Sequence, residues 1–345
     1  VKMGEKRIRN MEEFAAVSGI SRPTLSKYFN DPDSVRRTTR ERIEAALSQY
    51  DYRPNVYAVN QNRRKTRNIG IVVPNLADPF FSEIGREVEL ACMAAGYSPI
   101  LLSSHGNPAQ ERVNLESLRA LKPAGVLLAP FGKASDRADI ERFSKDVPVV
   151  TFDANIEGVC EAFVGTDNFQ CVDLMVEYLC RSGEPPCFFE MKTPSNPNAN
   201  KRRQAYLEAM ARHGFAPHIH QVPGEGWKFE EIGATEGGKL MAAGAFETDT
   251  VLCSNDRLAI GMLSAAYELG MQVGHGKGCV LRIAGQDDHP FSRYTCPPLT
   301  TIAQDYGAIA NRAASTLFGI IENETRLTER EETLFEGTLV MRASA

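Results

Sequence analysis

Apolar residues recur along this chain in two different rhythms. Through residues 11–50 they fall at helical spacing. Met11, Phe14, Ala15 and Val17 mark one short segment, Leu25, Tyr28 and Phe29 a second, and Ile43, Ala46, Leu47 and Tyr50 a third. Gly19 ends the first segment, because a turn there calls for positive φ. Ser21 is placed to cap the next helix, and Pro23 is tolerated in its first turn, where an N–H has no partner to lose. Thr38 and Glu41 read as a capping box for the third helix. From residue 68 the rhythm changes to short β-runs between amphipathic helices. The runs are 69–73, 98–103, 124–130, 147–153, 162–167, 186–190, 250–254 and 279–285. Such alternation implies parallel sheets covered by helices on both faces, an α/β architecture behind an all-α head.

Length and composition fit that division. At roughly 150 residues per domain, 345 residues correspond to two or three units. Hydrophobic residues at 43% and charged residues at 24% are ordinary for a globular chain and wrong for disorder. No apolar run approaches the ~18 residues of a membrane span, and VKMGEKRIRN lacks the apolar centre of a signal peptide. The expected location is the cytoplasm. The net charge of −5 hides an asymmetry: residues 1–67 carry a net +7, and the remainder −12. A basic head on an acidic body points to a polyanion as the head's partner, against the alternative of a basic tail that touches nothing.

The common catalytic and metal motifs are absent. Eight cysteines show no CxxC pair and no clustering with histidine, so most are expected to be buried reduced thiols. There is no HExxH, and His218 and His220 alternate on a strand-like run, where solvent-facing side chains explain them better than a metal does. Gly274, Gly276 and Gly278 lack the strand-then-helix setting of a dinucleotide fingerprint. Gly132-Lys133 lacks the rest of a phosphate loop, and there is no GxSxG. The expectation is no enzyme, no cofactor and no metal.

The triplet Ala15, Gly19 and Leu25 carries more information. It places a small residue where two helices touch, a glycine at the turn and an apolar anchor on the second helix, the spacing of a DNA-binding helix-turn-helix. A generic three-helix bundle would not need Arg22, Thr24, Ser26 and Lys27 together on the second helix, where base edges and phosphates would lie. The run from Met11 to Asp51-Tyr52-Arg53-Pro54-Asn55 resembles the headpiece of the lac repressor family of bacterial transcription regulators. The resemblance implies DNA contacts from Ser21, Arg22, Pro23, Thr24, Ser26, Lys27 and Asn30. It also implies a minor-groove hinge helix using Asn55, Tyr57, Ala58 and Gln61. Two positions depart from the pattern. Gln61 stands where most members place a wedging leucine, and Pro23 occupies a base-reading position with no side-chain hydrogen bond to offer.

In open parallel sheets ligands bind beyond the carboxyl ends of the strands, and those positions here are polar. They include Asn75, Asp78 and Phe80-Phe81 after the first strand, Asp153, Arg202 at a helix start, Asn255-Asp256 and Gln286-Asp287-Asp288. Carboxylates, an amide and a guanidinium suit adjacent hydroxyls of a polyol, while Phe80 and Trp227 suit the apolar face of a sugar ring. IGIVVPNLADPFF, Arg202 with Ala205-Tyr206, LCSND, GQDD and PLTTIAQD resemble the regulatory core of the same family and the related periplasmic sugar-binding proteins; Ala205 replaces the usual glycine.

That resemblance implies a headpiece at 1–54, a hinge at 55–67 and an effector-binding core at 68–345 with two lobes of doubly wound parallel sheet. One lobe is expected to span about 68–167 and 299–328, the other about 168–296 and 330–343. It implies effector contacts from Asp78, Phe80, Phe81, Asp153, Arg202, Trp227, Asn255, Asp287 and Gln304. The function implied is a homodimeric repressor on operator DNA, controlled allosterically by a sugar-like inducer or corepressor. The alternatives are a sugar receptor of a transport system and a regulator with a purine effector. The C-terminal run lacks leucine heptads that could join dimers into a tetramer. Operator affinity should fall steeply with salt, by ~0.9 log units per log unit of salt for each phosphate neutralised. A gel-shift titration from low to physiological salt checks this, and a flat profile contradicts the reading of the head.

Overall fold

The computed structural model describes residues 8, 10–30, 32–50, 52, 66–194, 196–323 and 329–345. Asn55, Tyr57, Ala58 and Gln61, the expected hinge residues, lie outside them. The chain divides into two units, 1–66 and 67–345, and each is described by itself.

In the first unit, α1 (Met11–Ser18) begins at Asn10, whose side-chain oxygen accepts the Glu13 N–H at 2.8 Å. Gly19, at φ +64°, ends it. α2 (Arg22–Asn30) follows after two residues, and α3 spans Arg37–Tyr50. Phe14, Leu25 and Ile43 contribute one fully buried side chain from each helix, and the Phe14 ring stacks on Tyr52 at 4.5 Å. The Ser21 hydroxyl meets that of Thr24 at 2.8 Å, and the Ser21 carbonyl accepts from Leu25. The expected capping box on α3 is displaced. Arg36 supplies the carbonyl that accepts from Thr39 and Arg40, so Thr38 lies within the first turn and Glu41 pairs with Arg37 instead.

The second unit holds two parallel sheets. The larger has the order β11-β5-β4-β3-β1-β2, from β1 (Asn68–Val73), β2 (Ser98–Ser103), β3 (Gly125–Leu128), β4 (Val149–Phe152), β5 (Ala162–Thr166) and β11 (Glu331–Phe335). Both faces of its centre are dry. Ile69, Ile71, Val73, Leu127, Val150 and Phe152 face the helices Pro79–Ala94 and Tyr306–Glu322, whereas Val72, Val126, Leu128 and Val149 face Pro108–Ala120 and Arg137–Asp146. A strand buried on both sides must be apolar at every position, hence the unbroken run IGIVV.

The smaller sheet has the order β7-β6-β8-β9, from β6 (Cys187–Met191), β7 (Ile219–Val222), β8 (Thr250–Cys253) and β9 (Arg282–Ala284). Phe188 and Leu252 pack towards Asn168–Ser182 and Asn198–His213, while Phe189, Val251 and Ile283 pack towards Asp256–Glu268. β10 (Thr301–Ala303) and β12 (Thr338–Val340) form an antiparallel pair beside it.

The lobe segments differ from expectation near the C-terminus. Residues 299–303 belong with the second lobe: Gly285 and Asp287 donate to the carbonyls of Thr300 and Ile302, and Leu299 and Ile302 are buried in that lobe's core. β11, expected there, instead pairs in parallel with β5 at the edge of the first sheet. The deciding factor is backbone pairing, since the open edge of β5 needs a partner. The thiols also differ in part: Cys92, Cys171, Cys187 and Cys253 are buried, Cys160, Cys180 and Cys279 are intermediate, and Cys296 is exposed.

The helices Phe229–Ile232 and Asp256–Glu268 meet at glycine. A Cβ on Gly261 would lie 2.1 Å from the Glu230 carbonyl oxygen, and one on Gly233 would lie 2.2 Å from that of Leu258. The obstacle is backbone and cannot rotate away. Gly261→Ala should therefore destabilise the core by about 1–3 kcal/mol, read as a lower midpoint in urea unfolding.

Candidate functional site

A narrow cavity lies between the two lobes. Asp78, Phe80, Phe81, Asp153, Arg202, Trp227, Asn255, Asp287 and Gln304 all line it. They arrive from loops after β1, β4, β7, β8, β9 and β10 and from the N-terminal turns of helices, as open parallel sheets dictate.

Arg202, buried on the helix Asn198–His213, organises the second-lobe side. Its Nε donates to Asn168 Oδ1 at 3.0 Å, Nη1 to the Ser254 carbonyl at 2.7 Å and Nη2 to Asp287 Oδ1 at 2.5 Å. Asp287 Oδ1 also accepts from Gln304 Nε2 at 2.7 Å, and Gln304 in turn accepts from the Thr166 hydroxyl. The Tyr306 hydroxyl donates to the Asp287 carbonyl. Burial opposes the charge on Arg202, but Asp287 outweighs it and raises the guanidinium pKa above its ordinary value.

Asp153 stands at the end of β4 with φ +60°, where Asn198 Nδ2 holds its side-chain oxygen at 2.8 Å and its carbonyl at 3.1 Å. Burial pushes its carboxyl up to about 7, with Arg202 pulling the other way. Asn255 caps the helix Asp256–Glu268 by accepting from the Leu258 N–H at 2.8 Å, which leaves its amide group for the cavity it lines.

On the first-lobe side Asp78 caps the helix Pro79–Ala94 through the Phe80 N–H at 3.0 Å. Phe81 is nearly inaccessible and serves as the ring between the two others: Phe80 meets it edge-on at 4.9 Å and Trp227 at 5.9 Å. Trp227 Nε1 is buried and has no hydrogen-bond partner among the described residues.

Several functional groups escaped the sequence reading, most of all Arg257. Its Nη1 donates to Asp78 across the lobes at 2.8 Å, its Nε to Glu230 at 2.6 Å and its Nη2 to the Trp227 carbonyl at 2.9 Å. A signal was available. Arg257 lies in the first turn of its helix, where the dipole disfavours a cation, so anionic partners must hold it there. Asp256, fully buried, accepts from the His289 N–H, the Ser292 hydroxyl and the Thr301 hydroxyl, and thereby ties the helix start to two loops. A Cβ at Gly285 would lie 2.1 Å from its Oδ1, which accounts for the glycine of GQDD.

The acids and bases lining the cavity nearly cancel. Asp78, Asp153 and Asp287 face Arg202 and Arg257, and burial lowers the His289 pKa, which favours the neutral imidazole. The cavity therefore has no surplus of positive charge.

On the first unit, Ser21 just before α2 and Arg22, Pro23 and Lys27 on it are exposed, while Thr24 and Ser26 are half-buried. Asn30 ends that helix. Arg22 pairs with Glu12 of α1 at 3.1 Å, an exposed contact that a phosphate could displace.

Residues 10–55 match the model of bacterial regulatory proteins of the lacI family, and residues 181–345 match a periplasmic binding protein-like domain. The chain is 27% identical over 322 residues to the ribose operon repressor of Escherichia coli strain K12, covering 93% of this chain and 95% of that protein. It is also 27% identical over 330 residues to the sucrose operon repressor of Pediococcus pentosaceus, covering 94% and 96%. The head is thus of the lacI type, and residues 181–345 of the core are of the periplasmic binding protein type. With these two domains the chain is a DNA-binding transcription regulator with an α-helical head and a parallel-sheet core. The fold agrees with the crystal structure of the lac repressor dimer bound to operator and the anti-inducer ONPF. That structure matches with a TM-score of 0.83 at 22% identity, over 97% of this chain and 98% of the other. Among the described residues no helix is long and apolar enough to cross a membrane.

The raised carboxyl of Asp153 has a testable sign. A folded-state pKa of about 7 against an ordinary 3.8 means that stability is full below pH 4 and declines as pH rises through 7. Asparagine tolerates the same φ and still accepts from Asn198, so Asp153→Asn should flatten this decline. Melting temperature recorded between pH 4 and pH 8 for both proteins checks it.

Proposed function

We propose that this chain is a homodimeric repressor, not an enzyme, whose operator affinity is set by an uncharged sugar bound between the core lobes. The observation that carries the reading is the charge balance of the cavity. Asp287 and Asp78 are already engaged by Arg202 and Arg257 and Asp153 is held by Asn198, so hydrogen-bonding capacity is abundant while, among the described residues lining it, no unpaired cation awaits a phosphate. A neutral polyol satisfies such a cavity, whereas a sugar phosphate would add charge beside Asp78, Asp153 and Asp287. Phe80 and Trp227 offer apolar surface for the ring of the sugar.

In this reading the sugar bridges Asp78 and Phe80 of one lobe with Arg202, Asn255 and Asp287 of the other, and so favours one arrangement of the lobes. Two heads on a two-fold axis would read a roughly palindromic operator, with Arg22, Thr24, Ser26 and Lys27 at base edges and phosphates. A ligand that binds the DNA-incompetent arrangement more tightly acts as inducer, and one that prefers the competent arrangement acts as corepressor.

A thermal-shift screen of neutral pentoses, hexoses and disaccharides beside their phosphate esters tests this. Binding at a hundredfold excess over Kd should stabilise by about 2.7 kcal/mol, and the neutral compound should outrank its phosphate. Asn255→Ala should weaken that binding about tenfold, the loss of one hydrogen bond. A phosphate ester that binds more tightly than its parent sugar sinks the proposal.

A further inference from the structure

The second lobe also carries chemistry at the opposite end of its sheet from the cavity. Cys187 opens β6, His220 sits on the neighbouring β7, and Glu247 lies in the turn leading into β8. Cys187 Sγ is 3.4 Å from Glu247 Oε2, and His220 Nε2 is 2.8 Å from the same oxygen. The three ligand atoms all lie within 4.8 Å of one another. A second imidazole, that of His218, brings Nδ1 within 3.6 Å of Glu247 Oε1.

The surroundings hold these groups in place while leaving one side open. Phe246 packs edge-on against the His220 ring at 4.8 Å, and the Thr248 hydroxyl donates to the Pro185 carbonyl at 2.8 Å, which anchors the turn. Cys187 is buried and the His220 side chain is 14% exposed, against 44% for Glu247, so an ion could enter past the carboxylate. The expectation that both histidines face solvent therefore fails for His220.

A His–Glu ion pair accounts for two of these groups. It does not account for a thiol and a second imidazole converging on the same carboxylate. A tetrahedral ion with bonds of 2.0–2.3 Å spaces its ligand atoms roughly 3.3–3.7 Å apart. The sulfur–oxygen distance already matches, and the nitrogen–oxygen distance needs to open by about half an ångström.

We propose that Cys187, His220 and Glu247 bind a borderline-soft divalent ion of the zinc class, with water or His218 Nδ1 in the fourth position. Thiolate, imidazole and carboxylate together suit zinc better than calcium or magnesium, which take oxygen ligands. Binding releases the thiol proton, so affinity climbs with pH. The site joins β6, β7 and the turn before β8 through residues 27 and 60 positions apart.

The test uses the full chain, reduced and stripped with chelator. Zinc(II) is titrated against a chromophoric chelator, and cobalt(II) is added to separate samples as an optical probe. One ion should bind per chain, and the cobalt adduct should show a sulfur-to-metal charge-transfer band. Cys187→Ser should abolish the band and weaken zinc at least tenfold. Glu247→Gln, a change on an exposed turn that leaves the sheet intact, should weaken zinc about tenfold. Absence of zinc binding at micromolar concentration in the wild type overturns the site. So does a charge-transfer band that survives Cys187→Ser, since another thiol would then be the ligand. If Cys187→Ser does not fold, unchanged zinc affinity in Glu247→Gln overturns it equally.

Discussion

A guanidinium withdrawn from water costs several kcal/mol unless its donors are met, and Arg202 is withdrawn almost completely. The solution recruits Asn168 at a helix start, the Ser254 carbonyl and Asp287, three partners from separate elements. Satisfying this one charge therefore places the end of β8, the end of β9 and the start of the helix after β5 relative to each other. Asp287 extends the chain of contacts to Gln304 and Tyr306, where the polypeptide passes between lobes. The positive φ of Asp287 costs about 1–2 kcal/mol and persists because three side chains define its position.

Across the cavity Arg257 meets the same requirement differently. It is shared between Asp78 of the first lobe and Glu230 of the second. Such a pair is worth most when dry and less when water enters, so its contribution depends on how closely the lobes approach. The close crossing at Gly233 and Gly261 sets where Glu230 and Arg257 can meet, and thus helix packing and cavity electrostatics are one problem in this lobe.

What the chain reveals in one dimension follows from burial. Strands covered on both faces, such as β1 and β3, must be apolar throughout and announce themselves. Residues beyond their carboxyl ends could be singled out because the architecture leaves them facing a cleft, and the nine expected positions do line one cavity. Edge elements are quieter. β11 and β10 are short, partly polar and exchangeable by pattern, and only their hydrogen-bond partners assign them to lobes. Thr38 misled because a capping motif has no register until the first turn is located. Arg257 carried an electrostatic signal, a cation in the first turn of a helix, that neither motif nor periodicity conveys. Cys187, His220 and Glu247 carried none, since their proximity arises from strand order alone.

Trp227 gives the cavity an optical property. It is the chain's single tryptophan, and its indole edge rests against Gly106 of the opposite lobe, where even a methyl group would stand 2.7 Å from Nε1. Intrinsic tryptophan emission from this protein thus originates at one point, the seam where the lobes touch. Any change in their separation alters the polarity around that ring and so shifts its emission.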